Sequence, residues 1–338
     1  MASLNELKAQ RQEKMDKLTV LGYHAYRTES HPTHTVQKFL EDFENLEVSE
    51  DSVTLAGRII ASRGHGQLLF IDLFDGTDTS QLYVRSDDLK DDKFESLRDL
   101  TDRGDFIEVT GKAVRTKRGE PSLLVSDWDM ITKSFAPLPD SWDGLKDDDL
   151  RYRNRHLDLL QDESLRDLFI KKAKFWSVTR QFLEERGFIG VETPTLEVTT
   201  GGAEARPFIT HHNDYDMSVF MRISIGELWQ KRLMAAGFNR TYEIGRAYRN
   251  EGSSPEHVQE FTNCEFYAAY MTFDEGKAMV TELFRHLAQE VFGTTTFTTR
   301  GHTFDLADDW QELDYVTTVE EMTGINVLDA TEAVSYTH

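Results

Sequence analysis

The sequence predicts an α+β protein in two parts: a five-stranded β-barrel, followed by a mixed, mainly antiparallel sheet with flanking helices. Three observations carry this. Between Val53 and Thr132, short runs of alternating apolar and polar residues recur, broken by turns and one polar helical stretch. After them, Phe135-Ala136-Pro137-Leu138-Pro139 through Asp147-Asp148-Asp149 is a proline- and acid-rich connector, which marks a domain boundary. Beyond the connector, helical periods alternate with strands, and Tyr242 to Tyr270 reads as two strands joined by a polar loop. At 338 residues the chain has room for two domains.

Residues 1–50 read as a helical extension. Leu4, Leu7, Met15, Leu18 and Leu21 recur at loose helical spacing and the run stops at Gly22. Tyr23 to Thr35 is irregular; its histidines 24, 31 and 34 lack supporting cysteine or carboxylate ligands, so they are loop residues and not a metal site. Residues 51–138 hold the barrel. Its strands are Val53–Ile60, Gln67–Phe74 with the Asp75-Gly76 turn, Ser80–Val84, Phe106–Val114 and Ser122–Met130, with a polar helix around Asp87 to Leu100. Five short strands with one intervening helix is the order of an OB-fold, and a generic barrel is the plainer alternative.

Residues 139–338 form the second part. Leu165, Leu168, Phe169, Lys172, Phe175, Trp176, Thr179, Phe182 and Leu183 trace one face of a helix stopping at Gly187. A strand, Phe188 to Pro194, follows. Gly201-Gly202 is a tight turn or a place where backbone approaches a ligand closely. A short helix is expected from Arg222 to Ala236, closed by Gly237. Glu275 to Val291 is an amphipathic helix with Met279, Leu283, Leu287 and Val291 inward, and Thr294 to Phe304 reads as a strand pair.

Composition narrows the function. The formal charge of −22 is awkward for a nucleic-acid binder, so any RNA contact needs a local basic patch or a fitted surface. The clearest basic cluster is Arg151-Tyr152-Arg153-Asn154-Arg155. The one cysteine, Cys264, excludes an intramolecular disulfide, suits a reducing cytoplasm and reads as a buried small residue. No stretch approaches the ~18 apolar residues of a membrane span.

Charge placement singles out the 242–270 hairpin. Arg246 and Arg249 close its first strand, and Glu251, Glu256, His257, Glu260 and Glu265 follow. Such a hairpin is either a solvated surface or a grip for a phosphate and an amine at once. The string Tyr248-Arg249-Asn250-Glu251-Gly252-Ser253-Ser254, His257, Glu260-Phe261-Thr262, Glu265-Phe266-Tyr267 resembles motif 2 of class II aminoacyl-tRNA synthetases, in the form used by lysyl-tRNA synthetases. The phrases Ala56-Gly57-Arg58, Leu73-Phe74-Asp75-Gly76, Gln81-Leu82-Tyr83-Val84 and Arg115-Thr116-Lys117-Arg118-Gly119-Glu120 are similar to the anticodon-binding domain of the same enzymes. The helix–strand–proline unit ending at Pro194 looks like motif 1, and Gly201-Gly202-Ala203 with Arg206-Pro207-Phe208 resembles a lysyl-enzyme phrase.

The resemblance implies the chemistry. Lysine and ATP give lysyl-adenylate and pyrophosphate, and the lysyl group passes to the 3′ hydroxyl of tRNA(Lys). Arg249 would be catalytic and, with Glu251, His257 and Phe261, would bind ATP. Gly202, Glu227, Glu265 and Tyr267 would hold lysine, and Arg58, Phe70 and Gln81 would read the anticodon. Phe70 offers a stacking face, Gln81 an amide and Arg58 a cation; Phe70 as simple barrel core is the alternative. The family also implies Mg²⁺, with ligands downstream and none within this chain, and a homodimer through motif 1. Glu227 is one residue farther from Arg222 than the family often has it. A glycine-rich motif 3 is not found before His338, which implies the first two-thirds of such an enzyme, impaired when alone. Two alternatives stand beside this. One is a non-catalytic tRNA-, RNA- or partner-binding protein keeping the barrel; the other is an aspartyl- or asparaginyl-tRNA synthetase. The barrel argues against a lysyl-like paralogue that lacks it.

Overall fold

A computed structural model describes residues 3–90, 92–138, 147–254 and 256–329. The middle of the predicted connector and the chain end, 330–338, lie outside the described residues. The chain divides into two compact units between Gln161 and Asp162.

The first unit opens with α1 (Leu4–Val20), started by a capping box in which the Ser3 hydroxyl accepts from the Glu6 N–H and the Glu6 carboxylate accepts from the Ser3 N–H. Its apolar stripe is thinner than the spacing predicts: Leu18 is buried, while Leu4 and Leu21 are exposed. Arg11 is buried instead, donating to the carbonyls of Ser134, Ala136 and Arg103. Helices α2 (Val36–Glu41) and α3 (Phe43–Ser49) follow.

The barrel consists of β1 (Ser52–His65), β2 (Leu68–Phe74), β3 (Thr79–Arg85), β4 (Phe106–Arg115) and β5 (Pro121–Thr132), with α4 (Lys93–Leu100) between β3 and β4. It closes in the order β1-β2-β3-β5-β4. All pairs are antiparallel except β3–β5, the parallel seam that completes closure. The alternation dictates the inside: Val53, Leu55, Leu69, Ile71, Leu73, Leu82, Val84, Ile107 and Val109 are buried in one core, each contributing about 1.5–3 kcal/mol. The helix predicted from Asp87 begins at Lys93 instead, because Asp88 turns back onto Arg85 and the backbone is extended again at Leu89. Lys133 is fully buried, its ammonium held by Asp105 and Asp102. Burial works to raise the Asp102 carboxyl, but Lys133 and Lys14 outweigh it and hold it below the usual range. Helices α5 (Asp148–Arg153) and α6 (Arg155–Gln161) close the unit. The predicted basic cluster is neutralised there, since Arg151 and Arg155 pair with buried Asp158 and Arg153 pairs with Asp149.

The second unit starts with α7 (Glu163–Glu185). Its predicted stripe is covered only towards the C-terminus, where Thr179, Phe182 and Leu183 are buried, while Leu168 and Phe169 are exposed. The strand predicted to run to Pro194 is only β6 (Ile189–Gly190); β7 (Leu196–Glu197), β8 (Ile209–His212) and β9 (Met217–Met221) follow, then α8 (Glu227–Ala235). This helix begins five residues later than predicted, because Gly226 adopts φ 59° and Arg222 to Gly226 form a loop. The hairpin is β10 (Arg240–Tyr248) and β11 (Glu260–Ala268), then α9 (Phe273–Leu287), β12 (Thr296–Thr299), β13 (His302–Asp305) and α10 (Tyr315–Thr323). The sheets run β11-β10-β6, with β6 parallel, then β7-β9-β8 and β12-β13. Met279, Leu283, Leu287 and Val291 point inward as predicted and pack with Phe182, Phe188 and Tyr242, against Ile244, Cys264 and Phe266. Burial pushes the Cys264 thiol up to about 11, which suits a packing residue and not a nucleophile. Tyr270 falls past β11 and is exposed. Among the described residues, no helix is long and apolar enough to cross a membrane.

Candidate active site and nucleic-acid face

Antiparallel register sorts the hairpin into two faces. Tyr242, Ile244, Cys264, Phe266 and Ala268 take the packed face. The cross-strand pairs Thr241–Tyr267, Glu243–Glu265, Gly245–Asn263 and Ala247–Phe261 take the other. Four residues that the sequence reading separates between nucleotide and amino acid, Phe261, Glu265, Tyr267 and Arg249, therefore belong to one face. Arg249 continues that side beyond β10: its guanidinium lies 5.2 Å from the Phe261 ring centroid and its Nε donates to the Ile223 carbonyl at 3.2 Å. Arg246 does not join it. It is exposed and pairs at 3.5 Å with Glu260, because an odd step separates it from Arg249.

At the far end of the face the chemistry turns acidic. Gly202 has φ 88°, and a Cβ there would overlap the Ser224 hydroxyl and the Glu227 carboxylate, so the turn brings backbone against both. Glu227 opens α8 and pairs with Lys231 at 2.8 Å. Glu265 accepts from the Ile225 N–H at 2.9 Å. Its carboxyl is raised, first by burial and then by the charges of Glu227 and Glu243, against the pull of the Ile225 N–H and Arg222. Tyr267 is pushed up to about 12 by burial and by Glu227 and Glu265. A half-buried carboxyl raised by neighbouring carboxylates would be relieved by a cation such as an ammonium group.

The polar loop carries the remaining residues. Glu251 is exposed and accepts from the Arg206 N–H at 3.2 Å, while the Asn250 N–H donates to the Arg206 carbonyl at 2.7 Å. These bonds tie the 200–208 segment to the loop. His257 is exposed, its Nδ1 2.7 Å from the Ser254 hydroxyl. It lies in that turn and is not drawn onto the face. Sequence reasoning missed Arg222 and Glu243, both buried, and Thr193, which binds Glu243. The available signal was a glutamate two residues from Gly245 inside a strand, where only a paired charge survives burial. Among the described residues, no group of three or more His, Cys, Asp or Glu is arranged to hold a metal ion.

On the barrel, Arg58, Phe70 and Gln81 all point outward between buried neighbours. Phe70 is thus not core. It stacks on Tyr83 at 5.2 Å and 10°, a second aromatic that the sequence reading did not select although it shares the parity of Gln81. Arg58 lies 4.3 Å over the Phe106 ring, and burial lowers its pKa. Gln81 accepts from the Ser122 hydroxyl at 3.1 Å and stands opposite Asp72. Phe70 and Tyr83 thus make an aromatic platform one outward step from Gln81, suited to unstacked bases, whereas Arg58 stands opposite Phe74, four residues farther along β2.

Comparison with known proteins matches residues 147–335 to the tRNA synthetases class II (D, K and N) and residues 53–131 to the OB-fold nucleic acid binding domain. The chain is 42% identical over 330 residues to a lysine–tRNA ligase of Roseiflexus sp. (strain RS-1), covering 97% of this chain and 67% of the relative. It is 40% identical over 323 residues to the lysine–tRNA ligase of Carboxydothermus hydrogenoformans (96% and 65%) and 41% identical over 328 residues to that of Halalkalibacterium halodurans (96% and 65%). The chain thus spans about two thirds of the length of these curated relatives.

Proposed function

Since the chain belongs to the class II tRNA synthetases of the D, K and N group, we propose that it serves the ATP-dependent activation of L-lysine and its transfer to tRNA(Lys), in the cytoplasm. The observation that carries this reading is the acidic end of the β10–β11 face, where Glu227, Glu265 and Tyr267 gather under Gly202. An aspartate side chain would be repelled there, and an asparagine amide would leave the carboxylates uncompensated. A lysine ammonium neutralises them.

In this reading Phe261 supports the adenine ring, and Glu251 and His257 border the nucleotide from the loop. Lysine lies with its α-amino group at the Gly202 turn. A carboxylate oxygen of lysine attacks the α-phosphorus of ATP, forming the P–O bond of the adenylate and expelling pyrophosphate. Two anions must meet, and Arg249 screens them with a planar fork that binds more strongly as charge gathers at phosphorus. Positioning and charge screening suffice; no side chain becomes a covalent nucleophile. Mg²⁺ serves class II synthetases with ATP, but the described residues offer it no carboxylate cluster. Arg58, Phe70 and Gln81, with Tyr83, take the anticodon bases on the barrel. The uncovered apolar half of α7, Leu168 and Phe169, supports a homodimer through that helix.

Calorimetric titration tests the reading. Lysine with ATP, or a sulfamoyl analogue of lysyl-adenylate, is expected to bind, and aspartate and asparagine are not. Binding of tRNA with no response to lysine or ATP would favour a non-catalytic RNA-binding protein instead.

A further inference from the structure

Arg222 is 4% exposed, yet its guanidinium meets several segments at once. Nη1 donates to the Glu243 carboxylate and lies 3.4 Å from the Thr193 carbonyl, and Nε donates to the Arg246 carbonyl at 2.8 Å. The other Glu243 oxygen accepts from the Thr193 hydroxyl at 2.6 Å. Its backbone is tied as well, N–H to the Thr195 carbonyl and carbonyl to the Tyr248 N–H, both at 2.9 Å. Gly245 makes the arrangement possible, since a Cβ there would collide with the guanidinium.

From this anchor the next residues distribute contacts to the substrate face. The Ile223 carbonyl receives Arg249, the Ser224 hydroxyl donates to the Gly201 carbonyl at 2.8 Å, and the Ile225 N–H holds Glu265. The charge arrangement points the same way. Glu243 and Glu265 are direct cross-strand partners, so a free Glu243 would repel Glu265 and compete with it for a cation. Paired with Arg222 and Thr193, Glu243 is spent.

We infer that Arg222 is a positioning residue of the lysine half-site: by binding Glu243 and anchoring the 222–226 loop it sets where Glu265 and the Gly202 turn stand, and leaves the pocket's available negative charge to Glu265 and to the Glu227 oxygen that Lys231 does not hold. This rests on the lysine reading above. A lysine at 222 keeps the charge but cannot span Glu243, Thr193 and the Arg246 carbonyl together, because an ammonium lacks the planar fork.

The test uses two variants of the full chain. Deleting one member of a buried pair risks unfolding, whereas replacing both with apolar groups of similar volume is often tolerated. Arg222→Met/Glu243→Met therefore removes the pair and Arg222→Lys keeps a cation. Lysine and ATP affinities are measured separately by calorimetry, on samples with a cooperative melt. Lysine affinity is expected to fall roughly tenfold or more in each folded variant, and ATP affinity to stay within about threefold, since Arg249 also keeps its strand and Phe261 contacts. A merely structural pair would not split the two ligands. Lysine affinity within about threefold of the unaltered protein in a folded variant, or equal losses for both ligands, overturns the inference. Failure of the unaltered chain to bind lysine at all would instead overturn the lysine reading itself.

Discussion

The barrel face and the β10–β11 face both present aromatic and charged groups, but they are built on different rules. On the barrel, Arg58, Phe70 and Gln81 occupy outward positions of β1, β2 and β3, and the core beneath them is closed. Nothing else is required, because stacking on an exposed ring works at a wet surface. On the sheet, Glu265 and Tyr267 are unbalanced by burial and by neighbouring carboxylates. That imbalance is assembled from the Gly202 turn, the 222–226 loop, α8 and both strands. A face that stacks can be written into strand alternation; a face that selects a charge must be enclosed.

The comparison breaks most easily at Arg249. Arg249→Ala is expected to weaken a lysyl-adenylate analogue by about 10²-fold or more, the scale of losing a charge-matched donor at a reacting centre, with barrel binding of an anticodon stem-loop unchanged. Gly202→Ala follows, since the added Cβ meets Ser224 and Glu227 and an alanine is strained at φ 88°. Lysine binding is expected to drop about a hundredfold, the cost of a misplacement near 1 Å. Equal losses in stem-loop binding from either variant would show that the faces are not independent.

On the other side, Phe70→Ala is expected to cost about 1–3 kcal/mol in stem-loop affinity, one stacked base, with no change in lysine binding. Tyr83→Ala sharpens this. It removes the partner ring at 5.2 Å, so its effect is expected to be smaller than that of Phe70→Ala and to overlap with it, which a double-mutant cycle would reveal.

The faces also divide by pH. Glu265 is held above the ordinary 4.5, first by burial, so it takes up a proton before exposed glutamates as pH falls. Lysine affinity is expected to weaken on acidification from about 7 toward 5, while stem-loop affinity, which uses the permanently charged Arg58, does not weaken for this reason. Because the folded pKa is raised, ionised Glu265 costs stability at pH values above it. Glu265→Gln is therefore expected to hold or raise the melting temperature at pH 7 while losing lysine and its pH dependence.

These contrasts explain what the sequence could tell. Alternation broken by turns placed all five barrel strands, and helical periodicity the inward stripe Met279, Leu283, Leu287 and Val291. Neither could show that Arg151 and Arg155 would fold onto Asp158, or that Gly226 would stop α8 from reaching back to Arg222. Both depend on side chains meeting after the backbone is set. For the same reason Arg249, Glu265 and Tyr267 were legible as a string, whereas Arg222 and Glu243 were not: their role exists only as a buried pair, and neither half announces it.

The smallest effect expected is at Arg246. It stands three residues before Arg249, which follows the end of the same strand, and carries the same charge, so sequence treats the two as a pair. The strand's two-residue period separates them. Arg249 continues the side of Glu243 and Ala247, while Arg246 is exposed on the other side and meets Glu260 at 3.5 Å. An exposed ion pair of that kind is worth about 0–1 kcal/mol. What the fold takes from residue 246 is its carbonyl, which accepts from Arg222 Nε at 2.8 Å, and any residue supplies a carbonyl. Arg246→Ala is therefore expected to change lysine and adenylate-analogue affinity by less than about twofold and to leave the melting temperature nearly unchanged. A loss approaching that of Arg249→Ala would mean that its guanidinium crosses to the substrate side when ligand binds, and the division of the hairpin into a packed face and a chemical face would have to be redrawn.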